Sequence, residues 1–252
     1  MLSGGGIRGL AHVGVLKALA EEGVRPEAVS GTSSGAIVGA LFGAGYSAEE
    51  MLEFFVEKSP FRLSKLALGK PGFFDTAKVY DDFREYFPDD SFESLSLPLF
   101  VTATDLVEAR RVVFSSGPLI RPVLASSSVP FVFTPTEIDG RLYADGGILD
   151  NFPVDPLSDL CDLRIGSYAS PLRDVDRKSL TSTISVSQRS FEIGMHSASR
   201  RRFGECDLVV CPPELARFTP FETKAMRECL DIGYRAARAR MSEIRELVGR
   251  AK

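Results

Sequence analysis

The stretch Gly31-Thr32-Ser33-Ser34-Gly35 is the most informative part of this sequence. It matches the pattern G-x-S-x-G, in which a serine stands on a tight turn between a strand and a helix. The flanking residues have the required character, because Ala28-Val29-Ser30 is typical of a short strand and residues 36–41 of a helix. A helix that begins just after Ser33 would bring backbone N–H groups to the point where an oxyanion forms. The turn predicts Ser33 as a nucleophile between two elbow glycines, and the alternative is a Gly/Ser-rich connecting loop.

The segments on both sides of this turn predict an α/β fold. A glycine cluster at residues 4–9 is followed by a helical apolar pattern over residues 10–23. After the turn, Ser47 and Glu50 form a capping box that opens a third helix. Strands and helices that alternate at this pace are typical of a parallel sheet. The expected architecture is therefore a three-layer α/β/α fold with a mostly parallel central sheet.

The rest of the chain continues this pattern less regularly. The predicted elements are strands at 98–104, 111–114, 163–168 and 207–210, a short helix at 118–125, a hairpin turn at Asp139-Gly140, and long helices at 179–199 and 221–248. The informative motifs end near residue 155, and the two long helices would complete the fold. We expect residues 1–252 to form a single domain.

The composition excludes several classes of protein. The chain has 252 residues, of which 44% are hydrophobic and 25% charged, as in ordinary folded proteins. A net charge of −4 and a pI near 5.4 argue against a general nucleic-acid binder. No apolar run reaches the roughly 20 residues of a membrane span, and the first residues do not have the pattern of a secretory signal. We therefore expect a cytoplasmic protein.

The cysteines and histidines do not predict a metal site. Cys161, Cys206, Cys211 and Cys229 form no C-x-x-C pair, and neither histidine stands at metal-ligand spacing from them. Reduced thiols in a cytosolic protein are the expectation.

The glycine cluster Gly4-Gly5-Gly6-Ile7-Arg8-Gly9 has two interpretations. Its spacing fits the G-x-G-x-x-G dinucleotide fingerprint, which requires an acidic residue at the end of the second strand. That strand instead ends at Ser30 and continues into the serine turn. The favoured interpretation is an oxyanion cradle, in which the N–H groups of Gly5, Gly6 and Ile7 face a developing negative charge and Arg8 supports the turn.

A nucleophilic serine needs a base, and three residues are candidates. His12 falls inside the first predicted helix, and His196 lies in a polar helix rather than in the loop that a catalytic histidine usually occupies. Asp145 precedes Gly146 and Gly147, which would let its carboxylate approach another loop closely. An Asp-Gly pair is also an ordinary turn signal, so the residues alone leave the choice open.

The three motifs together resemble the patatin-like phospholipase family. Residues 4–9, 31–35 and 145–147 follow the order and the approximate spacing of that family, with supporting similarity at residues 125–130 and 151–154. The resemblance covers roughly residues 1 to 155. Two features depart from the family pattern: Ser34 stands where alanine is most common, and only three residues precede the glycines. Either the chain begins inside a longer protein or the first strand is unusually short.

The resemblance implies a Ser–Asp dyad that hydrolyses lipid acyl esters without a metal or a cofactor. Ser33 would be the nucleophile and Asp145 the base, while residues 4–9 and Ser34 would form the oxyanion hole. The expected substrate is a phospholipid or a lysophospholipid. The alternatives are an esterase for small soluble esters and an inactive lipid-binding module, and a homo-oligomer is left open.

Aromatic segments are candidates for the acyl pocket and for a lipid-facing surface. The candidate walls are Phe54-Phe55, residues 61–68 with 72–74, and residues 131–133. Residues 61–68 are also amphipathic and cationic and could act as a lid or contact a lipid surface. Arg200-Arg201-Arg202 could meet anionic headgroups, although a solvated helix face is the plainer interpretation.

Overall fold

A computed structural model describes residues 1–58, 67, 69 and 71–250. The helices in this part of the chain are α1 (Leu10–Glu21), α2 (Ser34–Gly43), α3 (Ala48–Glu57), α4 (Tyr80–Arg84), α5 (Ile120–Ser126), α6 (Thr183–Arg201), α7 (Met226–Ala239) and α8 (Met241–Arg250). The strands are β1 (Val29–Thr32), β2 (Leu99–Asp105), β3 (Arg110–Phe114), β4 (Thr136–Ile138), β5 (Arg141–Asp145), β6 (Ile165–Ser167) and β7 (Leu208–Val210).

Strand β2 is the centre of the main sheet and determines which strand ends meet. β1 pairs with it in parallel as far as Thr102, and β5 pairs with it antiparallel from Asp105 back to Ala103. β3 pairs with residues 101–105 and therefore occupies the opposite edge of β2. β1 and β5 consequently lie end to end along one edge of β2, and their carboxyl ends face each other.

The α/β class and the central sheet are confirmed, and the sheet is mixed in direction. β1–β2 and β6–β7 are parallel, and Leu2 bridges in parallel to both Gly31 and Ser167. The antiparallel part comes from β3 and from the predicted hairpin, which folds β5 back onto β4. Both turn residues of that hairpin, Asp139 and Gly140, have positive φ angles of 50° and 76°.

The predicted helices are present, with one correction near the end of the chain. The capping box is confirmed, because the Ser47 amide donates to Glu50 Oε2 at 2.7 Å and the Glu50 amide donates to Ser47 Oγ at 3.3 Å. The prediction of one helix over residues 221–248 was wrong, because two helices lie there: α7 ends at Ala239 and α8 begins at Met241. At the junction the Arg240 amide bonds to the carbonyl of Ala237, which tightens the last turn and ends α7.

The four cysteines are free thiols, and Cys229 is buried. Within the described ranges, no group of three or more His, Cys, Asp or Glu side chains could hold a metal ion. In the same part of the chain, no helix combines the length and the apolar character needed to cross a bilayer.

Helices α1 and α7 cross at two glycines. A Cβ atom added at Gly233 would lie 2.0 Å from the carbonyl oxygen of Ala11, and one added at Gly14 would lie 2.1 Å from the carbonyl oxygen of Leu230. Both distances are far shorter than a van der Waals contact, so the two backbones touch directly. This contact holds α7 against the helix that follows the glycine cluster.

Replacing Gly233 with alanine should therefore separate the two helices. We expect the free energy of unfolding to fall by about 2 kcal/mol, the usual cost of forcing an extra carbon into a packed contact. The measurement is urea denaturation followed by circular dichroism. The matched control is Gly194→Ala in α6, where an added Cβ meets nothing within 4 Å. That change should stabilise the protein by about 0.5–1 kcal/mol, and equal effects of the two substitutions would contradict the crossing.

Candidate active site

Ser33 stands in a strained turn between β1 and α2. Its φ and ψ angles are 54° and −124°, a region that residues other than glycine rarely adopt. The side chain is buried, with 7% of its surface exposed. Gly31 is the third residue of β1 and Gly35 the second of α2, so the two elbow glycines flank the serine as the pattern requires. Such strain in a strand-to-helix serine turn is typical of a nucleophile elbow.

Ser126 holds this turn in place. The Ser33 amide donates to Ser126 Oγ at 2.8 Å, and Ser126 Oγ donates in turn to the carbonyl of Thr102 at 2.6 Å. Thr102 is the β2 residue opposite Thr32 in the sheet register. Ser126 is completely buried and thus connects the elbow to the centre of the sheet. Sequence reasoning noticed this serine only as part of a similar stretch and assigned it no role.

Asp145 is the last residue of β5 and reaches the elbow through the sheet register. It pairs with Ala103, one residue beyond the pair formed by Thr32 and Thr102. Its amide donates to the carbonyl of Ser128 at 2.9 Å. The Gly147 amide donates to its Oδ1 at 2.7 Å, and Gly146 begins the 3-10 turn that places this amide. Among the described residues, its other carboxylate oxygen, Oδ2, has no hydrogen-bond partner of normal geometry.

The electrostatic environment of Asp145 favours the protonated carboxyl. Burial raises its pKa from 3.8 to about 6, because a charged carboxylate is poorly solvated in the interior. The Ser33 hydroxyl and the Gly147 amide act in the opposite direction by stabilising the charge. The hydroxyl of Ser33 is thus close enough to influence the ionisation of Asp145.

Three amides beside Ser33 have no acceptor among the described residues: those of Gly5, Gly6 and Ser34. Two of the other predicted donors are engaged elsewhere. The Ile7 amide donates to the carbonyl of Pro220 at 2.9 Å, so the prediction that it faces the oxyanion was wrong. The Gly4 amide is likewise occupied by the carbonyl of Asn151 at 3.3 Å.

Arg8 supports the glycine loop from inside the protein. It is buried, its Nε donates to the carbonyl of Gly5 at 3.3 Å, and its Nη2 donates to Ser170 Oγ at 3.4 Å. The Arg8 side chain therefore fixes the peptide between Gly5 and Gly6, which carries the free amide of Gly6. Gly9 closes the 3-10 turn of the loop and leads directly into α1.

Two cavities meet at Ser33. The first, of about 120 Å³, is mainly apolar, and its walls include Phe54, Phe55, Phe83, Leu124, Val129 and Phe133. The second, of about 180 Å³, contains Asp145 together with Arg8 and Asn151, and its outer walls include Phe73, Phe131, Val132 and Ile184. Several predicted wall aromatics therefore line one cavity or the other. The predicted wall and docking segment at 61–68 lies outside the described residues, apart from residue 67.

Among the described residues, neither histidine ring makes a hydrogen bond to Ser33 or Asp145. His12 is buried, with its two nitrogens bonded to Ser167 Oγ at 2.7 Å and to the carbonyl of Ser3 at 2.8 Å. Burial lowers the pKa of His12 to about 4, so the ring is neutral at physiological pH. His196 Nδ1 lies 3.1 Å from the hydroxyl of Tyr168. Both rings serve the fold, and among the described residues Asp145 is the candidate base whose ionisation the Ser33 hydroxyl influences.

Comparison with known proteins gives a consistent result. A model of the patatin-like phospholipase family matches residues 1–158. An uncharacterized NTE family protein of Mycobacterium tuberculosis is 37% identical over 183 residues, which are 69% of this chain and 51% of that protein. Lysophospholipase NTE1 of Candida glabrata is 32% identical over 163 residues, which are 61% of this chain and 9% of that protein.

The chain spans about half the length of the mycobacterial relatives that it matches. Among solved structures, VipD from Legionella pneumophila aligns with 96% of this chain and 66% of its own, with a TM-score of 0.53 and 16% sequence identity. At that identity the likeness concerns the fold alone.

Proposed function

The chain belongs to the patatin-like phospholipase family, and on this basis we propose that it is a serine acyl hydrolase acting on phospholipids or lysophospholipids. The observation that carries the proposal is the meeting of Ser33 and Asp145 at the facing ends of β1 and β5, beside three unoccupied amides. The name of the fungal relative, a lysophospholipase, supports an ester of a single-chain lipid as one substrate.

The geometry supports a two-step acyl transfer. Asp145 accepts the proton of the Ser33 hydroxyl, and the serine oxygen forms a bond to the ester carbonyl carbon. The electron pair of the carbonyl moves to its oxygen, which accepts hydrogen bonds from the amides of Gly5, Gly6 and Ser34. The bond to the leaving alcohol then breaks, and that alcohol takes the proton from Asp145. Water repeats the sequence on the acyl-enzyme, releases the fatty acid and restores the Ser33 hydroxyl.

Each cavity accommodates one part of the substrate. Among the described residues, the first is lined mainly by apolar side chains such as phenylalanines and Leu124, with Lys58 as its charged lining residue, and this suits the acyl chain. The second holds Asp145 and opens between polar residues of α6 such as Gln188 and Glu192, which suits the leaving alcohol and its headgroup.

Contact with a lipid surface is part of the proposal. Phe73, Phe131 and Ile184 line the second cavity, yet each has more than 60% of its surface exposed. Apolar side chains around the entrance of a cavity are typical of a surface that meets lipid. Contact of Arg200-Arg201-Arg202 with anionic headgroups has less support. Arg202 pairs with Asp150 and Asp155, and the Arg200 guanidinium lies over the ring of Phe203.

A fluorophosphonate probe together with a mixed lipid extract tests this function. We expect the probe to label Ser33, identified by peptide mass spectrometry, and the wild-type protein to release fatty acid from the extract. Ser33→Ala should lose both properties, whereas Ser94→Ala, a change at an exposed serine, should retain them. Comparison of long-chain lipids in vesicles with short soluble esters identifies the substrate class. Label on another serine, or lipid turnover by Ser33→Ala, would refute the proposal.

The raised pKa of Asp145 predicts how the rate depends on pH. A general base must be ionised, so kcat/KM for a p-nitrophenyl ester should rise about tenfold per pH unit below pH 6 and level off above it. The measurement is a profile from pH 4.5 to 8.5, and His196→Ala should leave its midpoint unchanged. A midpoint near 4 would mean that the carboxylate is not desolvated.

A further inference from the structure

Asn151 is a buried polar residue in this site that the mechanism does not use. Its side chain is 4% exposed, and its amide nitrogen Nδ2 has no hydrogen-bond partner among the described residues. Buried polar groups in folded proteins are nearly always paired, so an unpaired amide at the wall of a cavity indicates a ligand that completes it. Asn151 lines the second cavity together with Ser33 and Asp145.

The space around this side chain is shaped by the two glycine motifs. A Cβ atom added at Gly4 would meet Asn151 Oδ1 at 2.3 Å and Ser33 Cβ at 3.1 Å. One added at Gly147 would meet Asp145 Oδ1 at 2.8 Å and Asn151 Oδ1 at 3.0 Å. The carboxamide of Asn151 therefore lies beside the nucleophile on one side and beside the base on the other. Its own main-chain carbonyl accepts the Gly4 amide, which fixes the position of the residue.

Asn151 lies on the leaving-group side of the site. It lines the second cavity with Asp145, and neither residue lines the apolar first cavity. With the acyl chain in the first cavity and the oxyanion at the amides of Gly5 and Gly6, the alcohol oxygen must face Asp145, which returns its proton.

We propose that the side-chain amide of Asn151 donates a hydrogen bond to the leaving-group oxygen of the ester. In the step concerned, the bond between the carbonyl carbon and this oxygen breaks and its electron pair moves to the oxygen. The proton passes from the Asp145 carboxyl to the same oxygen, and a neutral alcohol departs. The Asn151 N–H stabilises the charge that forms before the proton arrives. This assignment rests on the acyl-hydrolase function proposed above.

Two esters of one acid test the assignment, because they differ only in the alcohol that leaves. p-Nitrophenolate departs without a proton, whereas glycerol is a poor leaving group and needs help at its oxygen. For Asn151→Ala we expect kcat/KM for octanoyl glycerol to fall about 10- to 100-fold, the effect of one hydrogen bond to a charged group. The value for p-nitrophenyl octanoate should fall less than about threefold. Labelling of Ser33 by the fluorophosphonate should persist, since fluoride also leaves without a proton.

If Asn151 had only a structural role, its replacement would not change the ratio of kcat/KM for octanoyl glycerol to kcat/KM for p-nitrophenyl octanoate. If Asn151→Ala slows both esters equally, or neither, the assignment is wrong while the acyl-hydrolase function stands. If the wild-type protein cleaves neither ester, the proposed function fails and this assignment fails with it. Should Asn151→Ala not fold, Asn151→Leu keeps the approximate shape of the side chain without the N–H donor and carries the same expectation for the ratio.

Discussion

Replacing Asp145 with asparagine is expected to reduce kcat/KM for ester hydrolysis about a thousandfold and, at the same time, to stabilise the protein at pH 8. The loss follows because an amide cannot accept the proton of the Ser33 hydroxyl, and removal of a general base costs about 10² to 10⁴ in rate. The amide keeps an oxygen that can accept the N–H of Gly147, so the turn itself should survive. The rate is measured with a p-nitrophenyl ester.

The stabilisation follows from the raised pKa of Asp145. Because the folded pKa is about 6 and the ordinary value is 3.8, the folded state binds this proton more tightly than the unfolded state. The buried carboxylate lowers the free energy of unfolding. This loss is absent below pH 3.8, grows between the two pKa values and is complete above about pH 6. This difference in pKa corresponds to roughly 3 kcal/mol in the free energy of unfolding. Asparagine removes this cost, so its melting temperature should exceed that of wild type at pH 8 and approach it near pH 4.

The control is Asp105→Asn at the opposite end of the β2–β5 pairing. Asp105 is also buried, but the amide of Glu108, with further help from Val107 and Arg141, lowers its pKa. Its replacement should lower the melting temperature at pH 8. A destabilised Asp145→Asn at that pH would show that the carboxylate is better solvated than its burial implies, and retained turnover would refute its role as base.

Ser126→Ala is expected to cost about 2 to 5 kcal/mol of folding free energy. The change leaves the Ser33 amide without an acceptor among the described residues and removes a hydrogen bond to the Thr102 carbonyl, and a buried unpaired group costs about 1–3 kcal/mol. The strained backbone of Ser33 also loses its support. We therefore expect kcat to fall ten- to a hundredfold in molecules that remain folded.

Chemical denaturation and single-turnover kinetics measure the two effects. Ser30→Ala is the matched control, because Ser30 is equally buried and its hydroxyl donates one hydrogen bond, to the carbonyl of Pro153 at 2.6 Å. It should lose less stability and keep the rate. Equal rate losses in both variants would mean that Ser126 does not position the elbow specifically.

The sequence predicted the parts of this site that have local patterns. The turn around Ser33, the capping box at Ser47 and the hairpin before Asp145 each follow from residues within a short window. The prediction that Ser33 and Asp145 act together came from three motifs in the order of a family. It has a physical explanation only in the register that brings β1 and β5 end to end on β2.

The contacts that sequence reasoning missed join segments far apart in the chain. Ser126 bonds to Ser33, 93 positions away, and Pro220 takes the amide of Ile7, 213 positions away. A serine in a run of three, or a proline in a loop, has no periodicity or spacing that predicts such a partner. The position of Asn151 between the two glycine motifs became evident only once both loops were placed.

Leu2 forms a bridge to Gly31 in β1 and another to Ser167 in β6. It therefore connects the first strand to a strand much later in the chain. Contacts of such large sequence separation raise the contact order of a chain and slow its folding, because a long loop must close before they form. On the proposed mechanism, the segments around Gly4, Ser33, Ser126 and Asp145 must all be in place before the serine can react. During refolding, helical structure should therefore return well before chemical reactivity does, and a partly folded chain would be an inert one.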